Sequence, residues 1–579
     1  MAITRKSLAS AAVAAIALAS LAACGGSNDT KEPGASDGES KAGGTLYVTG
    51  GIRVPAYLDP QRTYTGVDIS WLGRTVYRSL VQAPASTDAA ESAEVVPDLA
   101  TDTGTSSNDA KEWKFTLKDG VKWEDGKEIT CEDLKYGISR GFADDVLSGG
   151  PTYGKALIDV PKDADGAPTY LGPYKGTGQE DFDKAVTCDG KTITYRFNAP
   201  FPDFPLAIAN LRAFDPYRKD QDKGENSIFS VFSSGPYKLE GTWNKDKGGT
   251  LVRNDQYDPD TDEAGIRKAL PDKIVFVYGD ADETIIERLI ADGGNDKNMV
   301  SFRRVPPTFI TRITGPIEDR YNNVESPYVD YLVPNVRQMT DPKVRMALAV
   351  ATDRQAWIAA GGGDKYFKIA DSIINPSLLG YQPNPAFADV PPEGDPDRAK
   401  QLLTEAGAEM PYPIKFTYNG GTPTSDKQAA ALKAAWDKAG FKVTLDPLAG
   451  SYYDVINKPN ADFDVTWAGW GADWPVAKSV LPPLFDGRIN ITKGSNGSDY
   501  GNYESDEFNA LIDEAATLPT VEEQANKLAE ADAVLGKDVA YFPLEITLFN
   551  WLRGSNVTDF QTTVASNGYP DLAGIGIKQ

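Results

Sequence analysis

Histidine is absent from all 579 residues of the chain, and that one absence removes much of the usual enzymatic repertoire. No Ser-His-Asp or Cys-His arrangement can be assembled, no imidazole can ligate zinc, and no histidine can act as general acid or base. Cysteine is nearly as scarce, at three residues: Cys24, Cys131 and Cys188. Beyond the first two dozen residues no apolar run has the length of a transmembrane helix. Positive charge is in deficit as well, with 59 Lys and Arg against 83 Asp and Glu and a formal net charge of −24. That balance argues against a nucleic-acid partner, whose phosphates need clustered basic side chains, and otherwise favours solubility.

Two motif-like strings fail on inspection. Residues 137–141, GISRG, match a nucleophile-elbow pattern, but the segment reads as a helix and the chain has no histidine to serve it. Asp258, Asp260 and Asp262 imitate the start of a calcium loop, yet Glu263 stands where the glycine belongs and Ala269 where the closing glutamate belongs. Neither common glycine-rich phosphate loop occurs. No catalytic residue, metal ligand or cofactor site is therefore expected.

What is present begins at the N-terminus. Arg5 and Lys6 precede an uncharged Ala/Leu-rich stretch from Leu8 to Leu21, followed by Ala22, Ala23 and Cys24. A positive head, a short apolar segment and small residues before a cleavage point describe a secretory signal over residues 1–23. Leu21-Ala22-Ala23-Cys24 resembles a bacterial lipobox, which implies cleavage before Cys24 and lipidation of its thiol. Residues 24–44 then form a Gly/Ser-rich, charged stretch that cannot bury a core and is expected to be a flexible tether. The protein is thus expected to be extracytoplasmic and anchored to the cell membrane by lipid alone. In an oxidising compartment Cys131 and Cys188 are expected to form a disulfide, two buried thiols being the alternative.

The remainder reads as globular, with 41% hydrophobic and 25% charged residues, and is too long for a single core. Trp113, Phe115 and Leu117 alternate with polar residues, as do Thr192 to Phe197, so each predicts a half-buried strand. Thr130 with Asp133 predicts a helix start. Asp341-Pro342 and Asp395-Pro396 each supply a cap and a first-turn proline for a helix, the second ending near Gly407. A strand over Ile414–Tyr418, a helix from Asp426 to Ala439 and a strand from Phe441 predict a βαβ unit, hence parallel strands. Phe463–Ala468 predicts a further buried strand leading into GWGADWP at 469–475.

Several blocks in this order resemble the bacterial extracellular solute-binding proteins of family 5, the oligopeptide, dipeptide and nickel group. They are Leu58-Asp59-Pro60, Val96-Pro97-Asp98-Leu99-Ala100, WKFTLKDGVKWEDGKEITCEDLKYGI at 113–138, SSGPYKL at 233–239, VRMALAVATDR at 344–354 and AKQLLTEAG at 399–407. The resemblance implies an α/β, two-lobed periplasmic-binding-protein-like (Venus flytrap) fold with an extra small α+β domain. It places one lobe at 45–88, 213–316 and 541–579, the small domain at 89–212 and the second lobe at 317–540. It also implies a monomer that captures short peptides between its lobes and delivers them to the permease of an ABC importer.

A binder of varied peptides can rely only on their shared features, a main chain and a terminal amine. GWGADWP can meet both. Gly469 and Gly471, flanking Trp470, allow another backbone to approach, and Asp473 offers a carboxylate. In the related oligopeptide binders the aspartate of a similar Gly-Trp-x-Ala-Asp block holds the peptide amine, which assigns that role to Asp473; taken alone, Asp473 reads as a turn residue. Gly66 and Val67 resemble the opposite-lobe segment that pairs with peptide backbone. Tyr452 and Tyr453 are candidates for a side-chain pocket wall, and Lys458 is a weaker candidate for a peptide carboxylate. Trp467 and Thr65 replace an arginine and an acid that form an inter-lobe ion pair in relatives, so closure must use other contacts. Two alternatives stand beside this reading: another solute in the same fold, such as a sugar, a metal chelate or a signalling peptide, and an exported hydrolase.

Overall fold

The predicted alternations become strands, and the strands sort into three principal sheets, each with its own core. The structure, a computed structural model, describes residues 41–579 apart from 87, 89, 90, 92, 165 and 264. The signal segment, Cys24 and the tether up to residue 40 lie outside the described residues. No described helix is long and apolar enough to cross a membrane.

The first sheet has five strands in the order Met299–Ser301, Thr45–Thr49, Lys273–Phe276, Gly248–Arg253 and Tyr237–Asn244. Thr45–Thr49 runs parallel to both neighbours. The helix Gly66–Thr75 packs over this sheet through Val67, Trp71 and Leu72. The second sheet has four antiparallel strands in the order Thr105–Ser107, Glu112–Thr116, Thr192–Arg196 and Val186–Asp189. Cys188 on its last strand is bonded to Cys131, the first residue of the helix Cys131–Arg140, with Cα atoms 5.8 Å apart. Thr130 and Asp133 form the capping box of that helix, and GISRG lies within and just beyond it.

The third sheet has six strands in the order Phe367–Ile369, Phe542–Leu552, Tyr321–Pro334, Val465–Gly471, Tyr412–Asn419 and Phe441–Leu448. Its last two strands are parallel and are joined by the helix Pro423–Lys438, the expected βαβ unit. Asp341 and Asp395 cap the helices Pro342–Ala351 and Pro396–Glu405 as their Asp-Pro pairs predict.

The fold is two-lobed α/β, and two long strands carry the chain between the large sheets. Tyr321–Pro334 and Phe542–Leu552 pair antiparallel, with an irregular register between Glu325 and Val329. At one end Arg553 bridges to Val300 of the five-stranded sheet; at the other both strands lie deep in the six-stranded sheet. Phe542–Leu552, assigned by resemblance to the first lobe, is thus hydrogen-bonded into the sheet built mainly from 321–471. A crossing strand of this kind belongs to both sides because its main chain must be satisfied along its whole length.

Segments remote in sequence are joined by buried ion pairs. Arg74 donates to both carboxylate oxygens of Asp571, at 3.1 and 3.0 Å. Asp98 is fully buried and accepts from Arg78 at 2.6 Å and from Arg267 at 2.8 Å. Desolvation would raise the Asp98 carboxyl, but the two guanidinium groups outweigh it and hold the group well below the usual range.

Candidate functional site

Val465–Gly471 holds the key position because only part of it is paired on both sides. Along one edge it pairs with Tyr321–Pro334 without interruption, from Val465 opposite Pro334 to Gly471 opposite Tyr328. Along the other edge Tyr412–Asn419 meets it only at Val465 and Thr466. The Tyr452 hydroxyl takes the next main-chain groups: it accepts from the Trp467 N–H at 3.2 Å and contacts the Trp467 carbonyl. From Ala468 to Gly471 this edge has no strand partner among the described residues. An open edge is a template for another extended chain.

That edge borders a cavity of about 280 Å³, lined by Gly469, Trp470, Gly471 and Asp473 on one side and by Tyr64, Thr65 and Gly66 on the other. Glycine is required at both strand positions: a Cβ at Gly469 would collide with Asp330 Oδ1, and one at Gly471 would lie 2.6 Å from the Tyr328 ring. Tyr328 also lines the cavity, and a Cβ at Gly66 would lie 2.6 Å from its hydroxyl. A second cavity of about 320 Å³ adjoins the first, sharing Asn210, Pro327, Ala472 and Asn567, and adds Ser326, Asn375, Trp474 and Thr563. Together they fall within the roughly 300–1,000 Å³ of small-ligand sites.

Asp473 stands just past the strand end, fixed by its neighbour. Trp474 is buried in the core of the four-stranded sheet, where its indole N–H donates to Asp203 Oδ2 at 2.7 Å. Tyr153 packs edge-on against Trp474 at 4.7 Å between ring centroids. The Asp473 carboxylate accepts two hydrogen bonds at one oxygen: Oδ2 from the Tyr64 hydroxyl at 2.7 Å and from the Tyr153 hydroxyl at 2.5 Å. These donors come from segments 409 and 320 residues away. Oδ1 accepts no hydrogen bond among the described residues. Burial pushes the Asp473 carboxyl up to about 6, against the downward pull of the two hydroxyls. The site therefore holds an incompletely compensated carboxylate at the end of an open strand edge.

The structure gathers Asp473, Gly469, Trp470, Gly471 and Gly66 around one cavity. Trp470 is half-buried and anchored by its N–H to the Ser479 carbonyl at 3.1 Å. Two other expectations need correction. Val67 is 7% exposed and packs in the core of the five-stranded sheet, because it begins the inward face of the helix Gly66–Thr75. Tyr452 lines neither cavity: it is buried, and its hydroxyl is spent on Thr466 and Trp467. Tyr453, its neighbour on the short helix Tyr452–Ile456, is 47% exposed and lines neither cavity, but it lies close enough to Asp330 to feel its charge.

Tyr64, Tyr153, Tyr328 and Asn567 were not found from the sequence. Tyr64 adjoins the Thr65-Gly66 segment and could have been included with it. Tyr153 sits in a loop-rich stretch with no periodic signal. Among the described residues no group of three or more Asp, Glu or Cys could hold a metal ion.

With that geometry in place, the comparisons are consistent with one another. The family model for bacterial extracellular solute-binding proteins, family 5 (middle region), matches residues 94–491. The oligopeptide-binding protein OppA of Bacillus subtilis is 24% identical over 470 residues, spanning 78% of this chain and 79% of the relative. The periplasmic murein peptide-binding protein MppA of Escherichia coli is 25% identical over 507 residues, 85% of each chain. Among solved structures, the clavulanic acid biosynthesis oligopeptide binding protein 2 superposes with a TM-score of 0.83 at 27% identity, covering 93% of this chain and 96% of that one.

Proposed function

Because the chain belongs to the bacterial extracellular solute-binding proteins of family 5, we propose that it captures short peptides for an ABC importer and catalyses no reaction. The observation that carries this reading is Asp473 Oδ1, left without a donor at the end of an open strand edge inside the cleft. A peptide main chain pairs with the edge from Ala468 to Gly471, and its terminal ammonium meets Asp473. A charge-assisted bond of that kind contributes about 1.5–3 kcal/mol. The peptide-binding names of the relatives support the same ligand class.

Capture is a ligand-biased equilibrium between open and closed lobes, with the strands Tyr321–Pro334 and Phe542–Leu552 as the hinge. The irregular register near Glu325–Val329 is where such strands bend most easily. Secretion through residues 1–23 and lipidation at Cys24 would keep the protein beside its permease, as a monomer.

Calorimetry with tetra-alanine tests the ligand assignment. The free-amine peptide is expected to bind at least tenfold more tightly than its acetylated form, and Asp473→Asn is expected to erase that difference. Equal affinity of the wild type for both forms would refute the amine contact. Failure to bind peptides of any length would refute the reading as a whole.

A further inference from the structure

Asp330 and Glu545 face each other across the two hinge strands, directly opposite in register. Asp330 is also opposite Gly469 on the cleft strand. Cross-strand partners share a face, and so do residues two apart on one strand. Tyr328, which lines the cavity, is two residues before Asp330, with an unbroken register against Val465–Gly471. The Asp330 carboxylate therefore lies on the cleft face, leaning over Gly469, where a side chain would strike its Oδ1.

This pair of acids lacks a countercharge. Glu545 is fully buried; Oε2 accepts from the Trp357 indole N–H at 2.7 Å, and its carboxyl lies within hydrogen-bond reach of the Asp330 carboxyl, so that one proton can be shared between them. No Lys or Arg comes within ion-pair distance of either carboxyl among the described residues; Arg304, exposed and stacked over Phe549 at 5.0 Å, acts on them only from a distance. Desolvation holds both carboxyls above their ordinary range, and for Glu545 the neighbouring Asp330 charge adds to it. Aromatic rings flank the pair: Trp467 lies on the same face as Gly469 and packs edge-on against Trp357 at 5.1 Å, with its own indole N–H lacking an acceptor. An unpaired acid pair beside indole rings, roofed by a glycine, is suited to a cation.

We propose that Asp330 and Glu545 form a subsite for a basic side chain of the bound peptide. This rests on the reading that a peptide pairs with the open edge of Val465–Gly471. A paired peptide lies two strand spacings, roughly 10 Å, from Tyr321–Pro334. Asp330 leans across one spacing, and a lysine or arginine side chain spans the other, passing over Gly469 with its aliphatic stem against Trp467. The ligand's cation then takes the place of the proton that the two adjacent carboxyls otherwise share. The subsite thus selects lysine- or arginine-bearing peptides over neutral ones of equal length.

The experiment is calorimetry at pH 7 with tetra-alanine and with variants carrying lysine or norleucine at each position in turn. At one position lysine is expected to exceed norleucine by about tenfold or more, and Asp330→Asn and Glu545→Gln are each expected to reduce that ratio towards one while tetra-alanine still binds. Tetra-alanine binding with no lysine preference at any position overturns this proposal and leaves the peptide reading intact. Absence of binding by every peptide overturns both. A lysine preference that survives in both variants also overturns the assignment to this pair. Since the wild-type comparison decides the first point alone, a variant that fails to fold does not protect the proposal.

Discussion

Acidifying the medium should weaken ligand capture in a way that can be calculated from Asp473. In the ligand-free cleft its carboxyl titrates near 6, because burial disfavours the charge more than the Tyr64 and Tyr153 hydroxyls favour it. A bound ammonium stabilises the carboxylate and lowers that value, so binding releases a proton once the pH falls below about 6. Affinity for a peptide amine is then expected to be flat between pH 6.5 and 7.5 and to drop about tenfold, or 1.4 kcal/mol, by pH 5. Above roughly pH 8 the ligand's own α-amine loses its charge and affinity falls again. Tetra-alanine is the right probe, since it leaves Asp330 and Glu545 unengaged. Calorimetry at constant ionic strength from pH 5 to 8 reads the profile, with Asp473→Asn as the control. A wild-type affinity that does not change between pH 5 and 7, or an acid limb that persists in Asp473→Asn, would refute the reasoning. Tyr64→Phe offers a finer check: removing one donor to the carboxylate should move the acid limb to higher pH.

Three further outcomes concern stability. Asp473 has a folded-state pKa above its ordinary value, so its contribution to stability is most favourable at low pH and is lost as the pH rises through about 6. Asp473→Asn should therefore melt no lower than wild type at pH 7, with relief of at most about 3 kcal/mol, while losing the amine preference; a clear fall in melting temperature would contradict this. Asp98→Ala leaves Arg78 and Arg267 buried without their shared anion and should cost about 3–5 kcal/mol in urea unfolding; a loss below 1 kcal/mol would show that these guanidinium groups find other partners. Replacing Cys131 and Cys188 by serine opens a loop of sequence separation 57 and should cost about 4 kcal/mol, seen as a lower unfolding midpoint. An unchanged midpoint would mean that the unfolded chain gains little freedom there.

Local signals carried most of the fold. Asp-Pro pairs marked helix starts at 342 and 396, alternation marked the strands at Glu112–Thr116 and Thr192–Arg196, and the spacing of two strands about a helix marked the parallel pair. These depend on residues close in sequence. Alternation misplaces both ends of one strand: the expected Phe463–Ala468 is Val465–Gly471, carried on through Gly469, Trp470 and Gly471 by pairing with Tyr328–Asp330. The site divides along the same line. Asp473 and its glycines belong to one short block and were legible through the resemblance. Tyr64 and Tyr153, which orient Asp473, come from other segments, and nothing in their neighbours marks them. Asp330 and Glu545 are single acids in separate strands, and only the register across Tyr321–Pro334 makes them a pair. The Tyr452-Tyr453 doublet was ambiguous because successive residues of a helix point about 100° apart, so one was bound to turn inward.

The resemblance implies that Trp467 and Thr65 stand in place of an inter-lobe ion pair, and the cleft supplies other contacts. Contacts across it are made by neutral groups: the hydroxyls of Tyr64 and Tyr153 on Asp473, and the Tyr328 hydroxyl against Gly66. Hydroxyls on a carboxylate leave it charged and short of compensation, as its raised pKa records. An arriving ammonium supplies what the tyrosines do not, so the closed form gains most when it is occupied. The same reasoning extends to the proposed subsite at Asp330 and Glu545, two acids with no Lys or Arg within ion-pair distance among the described residues. On the proposed reading, the cleft therefore couples closure to a positively charged ligand at two points.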